Sequence, residues 1–113
     1  MNLTGRSVAQ KASKIKKNPG YLKKVRQMPC IICETFGEQQ TSPTEAHHVI
    51  QGRYSTKKTP DEMAIPLCGG HHLGTFDTSK GAIHREPEKW RRLYGPDHDY
   101  SARVRASIQR DEQ

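Results

Sequence analysis

Hydrophobic residues occur in short runs along this chain, and the first run follows a helical spacing. Tyr21, Leu22 and Val25 would share one face of a helix. Pro19 suits the first helical position, because the N–H that proline lacks would be unpaired there anyway. The pattern predicts a short helix over residues 19–27.

Two later apolar runs are too short for helices and predict β-strands. They cover residues 46–50 and 63–67, and polar or turn-forming residues bound each run. Residues 30–33 predict a tight turn, and a loop rich in small and polar residues continues from there to Thr44. The middle of the chain is therefore expected to hold two short strands.

The second half of the chain predicts helices. One is expected to begin at His71, with a turn interrupting it over residues 77–81. Another covers residues 86–94, with acidic residues in its first turn and a Gly-Pro pair after its end. Val104 and Ile108 lie four positions apart and predict a final amphipathic helix.

Composition limits the size of the core. Of the 113 residues, 32 % are hydrophobic, against about 45–50 % in typical globular proteins. Such a chain predicts one small domain that needs a metal ion, a disulfide or a partner chain for stability. An odd number of cysteines without a secretory signal favours thiolate ligands in a reducing cytoplasm. Without an apolar stretch of about 20 residues, no membrane partner is expected.

The positive charge is concentrated at the start of the chain. Residues 1–29 contain eight Lys and Arg and no acidic residue, whereas the other eleven Lys and Arg are matched by twelve acids. Such a basic arm is typical of proteins that bind the phosphate backbone of nucleic acids. A solvated tail that only aids solubility is the alternative. Candidate phosphate contacts in the arm are Lys14, Lys16 and Lys17.

The cysteines predict a closed zinc site. Cys30 and Cys33 have the CxxC spacing that points two thiolates at one ion, and Cys68 and His71 repeat that spacing with a histidine. We therefore predict a Cys3His structural zinc site. A redox CxxC is disfavoured, because no strand–helix–strand pattern surrounds it. Three small buried cysteines without a metal are the other alternative.

Four further histidines predict a second site. The predicted order of two short strands followed by a helix is the order expected of a ββα-metal nuclease. His47 and His48 lie on the first of these strands, and His72 lies at the helix start. Adjacent strand residues face opposite ways, so His47 and His48 must have different tasks. One would bind a divalent ion, and the other would take a proton from the attacking water. A second structural zinc site in a purely binding module is the alternative.

At these residues the chain resembles the HNH endonuclease superfamily, and within it the phage recombination-enhancement (Ref) type of RecA-dependent nuclease. The resemblance implies an α+β fold: a small zinc-stapled ββα-metal domain over residues 18–96, a basic N-terminal helical arm over residues 1–17 and a C-terminal tail over residues 97–113. The motifs that carry it are Asn-Pro-Gly-Tyr-Leu at 18–22, Met-Pro-Cys at 28–30, Ala-His-His at 46–48, Thr-Pro-Asp at 59–61, Ile-Pro-Leu-Cys at 65–68, His-His at 71–72, Gly-Ala-Ile-His at 81–84, Trp90 and Tyr-Gly at 94–95.

The resemblance also implies roles for the histidines. His47 would bind the catalytic ion, which is Mg²⁺, Mn²⁺ or Zn²⁺, with His72 and His84 completing its site and His48 as general base. DNA would be the substrate and a recombinase filament a candidate partner, in a bacterial cytoplasm with a phage or prophage origin. A non-catalytic, zinc-stabilised nucleic-acid-binding module is the alternative, as is an accessory protein that cuts only DNA presented by such a filament.

The chain departs from the superfamily pattern at two points. The middle Asn of the HNH name has no obvious counterpart, and either Asp61 or Glu62 could replace it. His71 stands where a fourth cysteine is common, so the tasks of His71 and His72 could be exchanged. Further candidate phosphate contacts in the loops beside the site are Arg53, Lys57, Lys58, Lys80 and Arg85.

Overall fold

Short helices surround a two-stranded antiparallel sheet in a computed structural model, which describes residues 16–51 and 59–112. This confirms the α+β class. Two 3-10 helices cover Asp61–Met63 and Asp97–Tyr100. The other elements in chain order are α1 (Pro19–Arg26), α2 (Ile31–Phe36), β1 (Thr44–His47), β2 (Ile65–Cys68), α3 (Gly69–His72), α4 (Pro87–Tyr94) and α5 (Ser101–Asp111).

Three of the predicted helices are confirmed. Helix α1 begins at Pro19, where the Asn18 side chain accepts a hydrogen bond from the Tyr21 backbone N–H at 3.2 Å. Helix α4 begins one residue later than predicted and ends at Gly95, whose φ of 86° most other residues avoid. Helix α5 buries Val104 and Ile108, as their spacing predicts.

Other predicted boundaries were wrong. The expected turn at residues 30–33 is instead the start of α2, with Cys30 as its N-cap residue. Strand β1 ends at His47, because its partner β2 begins at Ile65, directly opposite. Residues 61–63 form a 3-10 helix, which delays the start of β2. Helix α3 begins two residues before His71 and ends at His72.

The buried core joins both ends of the described chain. Ile32 of α2, Leu67 of β2 and Trp90 of α4 are fully buried, and Val104 of α5 belongs to the same cluster. The described part of the segment expected as a tail therefore packs on the sheet domain. Among the described helices, none combines the length and apolar content needed to cross a bilayer.

Candidate metal centres

The three cysteines and His71 converge where α2, β2 and α3 meet. Cys30 and Cys33 come from the start of α2, Cys68 ends β2, and His71 lies in α3. All four residues are buried, and one ligand atom from each lies within 4.8 Å of the others. The paired spacings thus bring together one group from distant parts of the sequence, as predicted.

The distances in this group fit a tetrahedral zinc ion. His71 Nδ1 lies 3.5, 3.6 and 3.3 Å from the Sγ atoms of Cys30, Cys33 and Cys68, and the last two Sγ atoms are 3.9 Å apart. Zn–S bonds of about 2.3 Å and Zn–N bonds of about 2.0–2.1 Å place tetrahedral ligands about 3.8 Å (S to S) and about 3.5 Å (S to N) apart. The group could hold a metal ion such as zinc.

Protons and a cation compete for these thiols. The hydrogen bond between the Cys30 and Cys68 thiols raises the pKa of Cys30 and lowers the pKa of Cys68 to about 3. Burial raises the pKa of the Cys33 thiol to about 11. The three thiols therefore do not ionise together without a cation, and metal binding would release protons.

A second layer of side chains orients the His71 ring. Its Nε2 lies 3.2 Å from Glu38 Oε1 and 3.4 Å from the Tyr94 hydroxyl. Lys80 Nζ is 3.4 Å from the same Glu38 oxygen, and the Lys80 side chain is only 10 % exposed. Glu38 was not predicted from the sequence. Lys80, a predicted phosphate contact, is placed beside the Cys3His group.

His47, His72 and His84 form the second group. Their ring centroids are 4.9–5.3 Å apart, and one ligand nitrogen from each lies within 4.8 Å of the others. The His84 N–H donates to the His72 carbonyl at 3.1 Å, which holds the loop of His84 against α3. Of the two adjacent histidines of α3, the structure therefore brings His71 to the cysteines and His72 to this trio.

Buried and half-buried carboxylates orient two of the three rings. His47 Nε2 lies 2.9 Å from Asp97 Oδ2, and His72 Nδ1 lies 2.6 Å from Glu45 Oε1. His47 Nδ1 is buried with no hydrogen-bond partner among the described residues, so it suits a metal ligand. Burial lowers the pKa of His47, which favours the neutral form that binds metals. Asp97 and Glu45 were not predicted.

His48 is less buried than His47 and contacts a different carboxylate. The His47 side chain is 1 % exposed and the His48 side chain 21 %. His48 Nε2 lies 2.7 Å from Asp61 Oδ1, while the other Asp61 oxygen accepts the Asn18 backbone N–H at 2.7 Å. Glu62 instead accepts from the Asn18 side chain at 2.6 Å. Asp61 is thus the acid that contacts His48.

Only some of the predicted phosphate-contacting residues lie in the described part of the chain. Lys16 and Lys17 are exposed ahead of α1. The Arg85 side chain is 39 % exposed, and its guanidinium donates to the Lys80 carbonyl at 2.9 Å. The remaining candidates, Lys14, Arg53, Lys57 and Lys58, lie outside the described residues.

Comparison with known proteins gives a family. No curated protein and no solved structure matched the chain. A family model described as "Protein of unknown function (DUF968)" matches residues 8–107. Because this match covers well over half of the sequence, the chain belongs to the DUF968 family.

Proposed function

We propose that this protein is a metal-dependent endonuclease of the HNH type, which hydrolyses phosphodiester bonds in DNA. The contrast between the two ligand groups carries the proposal. The Cys3His group supplies all four ligands of a closed zinc site, whereas three histidines form the other group among the described residues. Three protein ligands leave room for water or substrate, as in catalytic sites.

The trio suits a divalent ion. His47 would bind it through Nδ1 and His72 through Nε2, since Asp97 and Glu45 contact the other nitrogens, and His84 would complete the set. A bound Mg²⁺, Mn²⁺ or Zn²⁺ would supply Lewis-acid stabilisation of the negative charge that develops on the phosphate. Imidazole ligands favour the transition metals among these candidates, because Mg²⁺ prefers oxygen.

His48 would act as the general base. Asp61 accepts a hydrogen bond from Nε2–H, which leaves the lone pair of Nδ1 to accept a proton from the attacking water. The Asp61 carboxylate would also stabilise the imidazolium that forms, as the orienting acid does in a Ser-His-Asp triad. In this role Asp61 would replace the middle Asn of the HNH pattern.

The fold and charge support a DNA substrate. Strand β2, paired antiparallel with β1, runs directly into α3, in the order of a ββα-metal site. The histidine trio lies on β1, on α3 and just beyond the loop that follows. The net charge of +7 favours a polyanion. Exposed Lys16, Lys17 and Arg85 are the described candidates for phosphate contacts. A recombinase filament remains a proposed partner. Adding such a filament to the cleavage assay tests whether cleavage requires it.

The test is nicking of supercoiled plasmid DNA with Mg²⁺, Mn²⁺ or Zn²⁺. We expect His48→Ala to reduce the rate by about 10²–10⁴-fold, the usual contribution of general-base catalysis. Asp61→Ala should reduce it as well, because His48 would lose the acceptor that orients its ring. Asp99→Ala is the matched control, because the Asp99 side chain is 64 % exposed and its ion pair among the described residues is with His98. Unchanged zinc content and unfolding temperature would show that both variants still fold.

Two outcomes would redirect the proposal. Wild-type rates in His48→Ala would contradict the general-base role. DNA binding without cleavage in any of the metals would favour the non-catalytic nucleic-acid-binding module. Cleavage that appears only after a recombinase filament is added would support the partner and the accessory function.

A further inference from the structure

The loop between His72 and His84 presents an aromatic ring to solvent. Phe76 is 75 % exposed, the largest exposure among the big hydrophobic residues of the described chain. Burying a phenylalanine is normally worth about 1.5–3 kcal/mol. Phe76 thus leaves an apolar ring in water on the segment between two candidate ligands, where a partner molecule can reach it.

The backbone holds Phe76 in an unfavourable conformation. Its φ is 65°, the one positive φ of a non-glycine residue in the described chain. The Asp77 N–H donates to the Thr75 carbonyl at 2.6 Å, so Phe76 is the central residue of a γ-turn. A bulky residue at positive φ is rare, and such strain concentrates where a side chain serves binding.

Neighbouring side chains fix this turn on the domain. Asp77 accepts hydrogen bonds from Thr41 Oγ1 and from the Ser79 backbone N–H, the latter at 3.0 Å. The hydrogen bonds from Ser79 and Thr41 lower the pKa of Asp77 to about 2, so this anchor stays ionised. These hydrogen bonds connect the turn to Ser79 in the same loop and to Thr41 in the loop before β1.

The Phe76 ring lies against the start of α3. A Cβ added at Gly69 would lie 2.7 Å from Phe76 Cδ2, so only glycine at this position lets the ring lie so close to the helix. Gly74, two residues before Phe76, has a φ of 82°, and a Cβ there would collide with the Arg85 guanidinium. The Arg85 cation therefore packs against the same loop that carries the Phe76 ring.

We propose that Phe76 is a stacking platform for an unpaired base of a single-stranded or locally opened nucleic acid strand, with Arg85 beside the strand's phosphates. An exposed ring on a rigid turn offers its face to a base, and stacking needs no particular base sequence. A fully paired duplex hides its base faces, whereas an opened strand exposes them. Leu73 is the other exposed large hydrophobic residue among the described residues of this loop. The residues next to Phe76 in the sequence, Thr75, Asp77, Thr78 and Ser79, are polar, so the apolar surface offered to a protein partner is small.

The inference rests on the proposed function for the identity of its ligand, but its test needs no cleavage. Binding is measured by fluorescence with the zinc-loaded full chain carrying His48→Ala, using one oligonucleotide that contains a fluorescent adenine analogue, either single-stranded or paired. Stacking quenches the analogue. We expect Phe76→Ala to weaken single-strand binding by roughly 5- to 150-fold and to abolish the quenching, with duplex affinity unchanged.

Two variants control the experiment. Phe76→Trp should keep both affinity and quenching, because a larger ring stacks at least as well. Phe36→Leu removes the ring of another half-exposed phenylalanine, which lies in α2 and not in this loop, and should bind like the parent chain. Since Phe76 is mostly exposed, its removal leaves the core intact.

The outcomes separate the two proposals. Equal single-strand affinity in Phe76→Ala, or an equal loss for both oligonucleotides, overturns the stacking role even if the protein cleaves DNA. A Phe76-dependent self-association seen by sedimentation, with unchanged DNA binding, overturns it in favour of a second copy of the chain. Quenching that depends on Phe76, in a protein that cleaves nothing, supports the stacking role and contradicts the nuclease.

Discussion

His47 and Asp97 are fifty positions apart in sequence, yet their side chains meet in the buried interior with His47 Nε2 2.9 Å from Asp97 Oδ2. The same carboxylate accepts the backbone N–H groups of Ile50 and Gln51 at 2.8 and 3.1 Å. One acid therefore fixes both the ring of a candidate ligand and the path of the chain after β1. This links the C-terminal 3-10 helix to the histidine trio.

Asp97→Ala should weaken both the fold and the histidine site. The change leaves the buried His47 ring and two part-buried backbone N–H groups without their acceptor. A buried donor without a partner costs about 1–3 kcal/mol and a part-buried one less, so we expect a loss of about 2–3 kcal/mol in the free energy of unfolding. Urea denaturation measures it. Asp99→Ala is the matched control and should change stability by less than about 0.5 kcal/mol, because Asp99 is exposed. Equal stability of the two variants would contradict the structural role of Asp97.

Glu45→Gln should weaken metal binding with little effect on folding. Glu45 contacts His72 Nδ1 at 2.6 Å but is a third exposed, so it acts on the ring more than on the core. Loss of such an outer carboxylate typically costs about 10–100-fold in metal affinity. Competition titration with a chromogenic chelator measures the change, with exposed Glu88→Gln as control. An unchanged affinity would contradict the role of the Glu45 carboxylate in orienting a metal ligand.

Cys68→Ser should abolish zinc binding at the Cys3His group and destabilise the domain. Cys68 ends β2 directly before α3, so the ion would tie the sheet to the start of α2. Structural zinc contributes about 10–16 kcal/mol of apparent binding energy in small zinc modules, and a chain with this core has little to replace it. We expect the cooperative thermal transition to disappear. Chelator treatment of the unchanged protein should do the same, and added zinc should restore the transition.

A metal-free chain that unfolds at the same temperature would contradict this account. The three thiols would then be ordinary buried cysteines, the alternative that the sequence also allowed. Spectroscopy of the cobalt-substituted protein gives an independent check, because thiolate-to-cobalt charge transfer appears only if the cysteines are ligands.

Phe76→Gly should stabilise the protein. Glycine adopts positive φ without strain, whereas an L-residue in this region pays about 1–2 kcal/mol. Part of that gain is lost to the greater freedom of glycine in the unfolded chain, so we expect a net gain of about 0.5–1 kcal/mol. Phe36→Gly, in the last turn of α2, should instead lower stability by about 1 kcal/mol. A loss in Phe76→Gly would mean that the turn is not strained.

Local spacing predicted much of the site. The residues of each pair, Cys30–Cys33 and Cys68–His71, are close in sequence. All four residues therefore meet once these two short segments pack against each other. The histidine doublets separated as expected: His47 and His48 contact different carboxylates, and His71 and His72 belong to different ligand groups. Helix α1 and helix α5 followed from their apolar periodicity, since each buries one stripe.

The supporting residues could not be predicted in the same way. Asp97 follows a Gly-Pro pair and lies in a segment without periodicity, so nothing local ties it to His47. Glu38 lies in the loop after α2 and meets His71 only through the packing of α3 and α4. Glu45 had a signal: it lies two residues before His47 on the same strand. The strain at Phe76 depends on backbone angles that sequence does not encode locally.

We propose two centres with different tasks, one closed by Cys3His and one left open by three histidines. Anomalous scattering at the zinc edge from crystals of the zinc-loaded full chain distinguishes them. We expect two ions per chain, one bound by Cys30, Cys33, Cys68 and His71 and the other by His47, His72 and His84 with a water. A single ion, or one ion whose ligands mix cysteines with His72, would contradict this proposal.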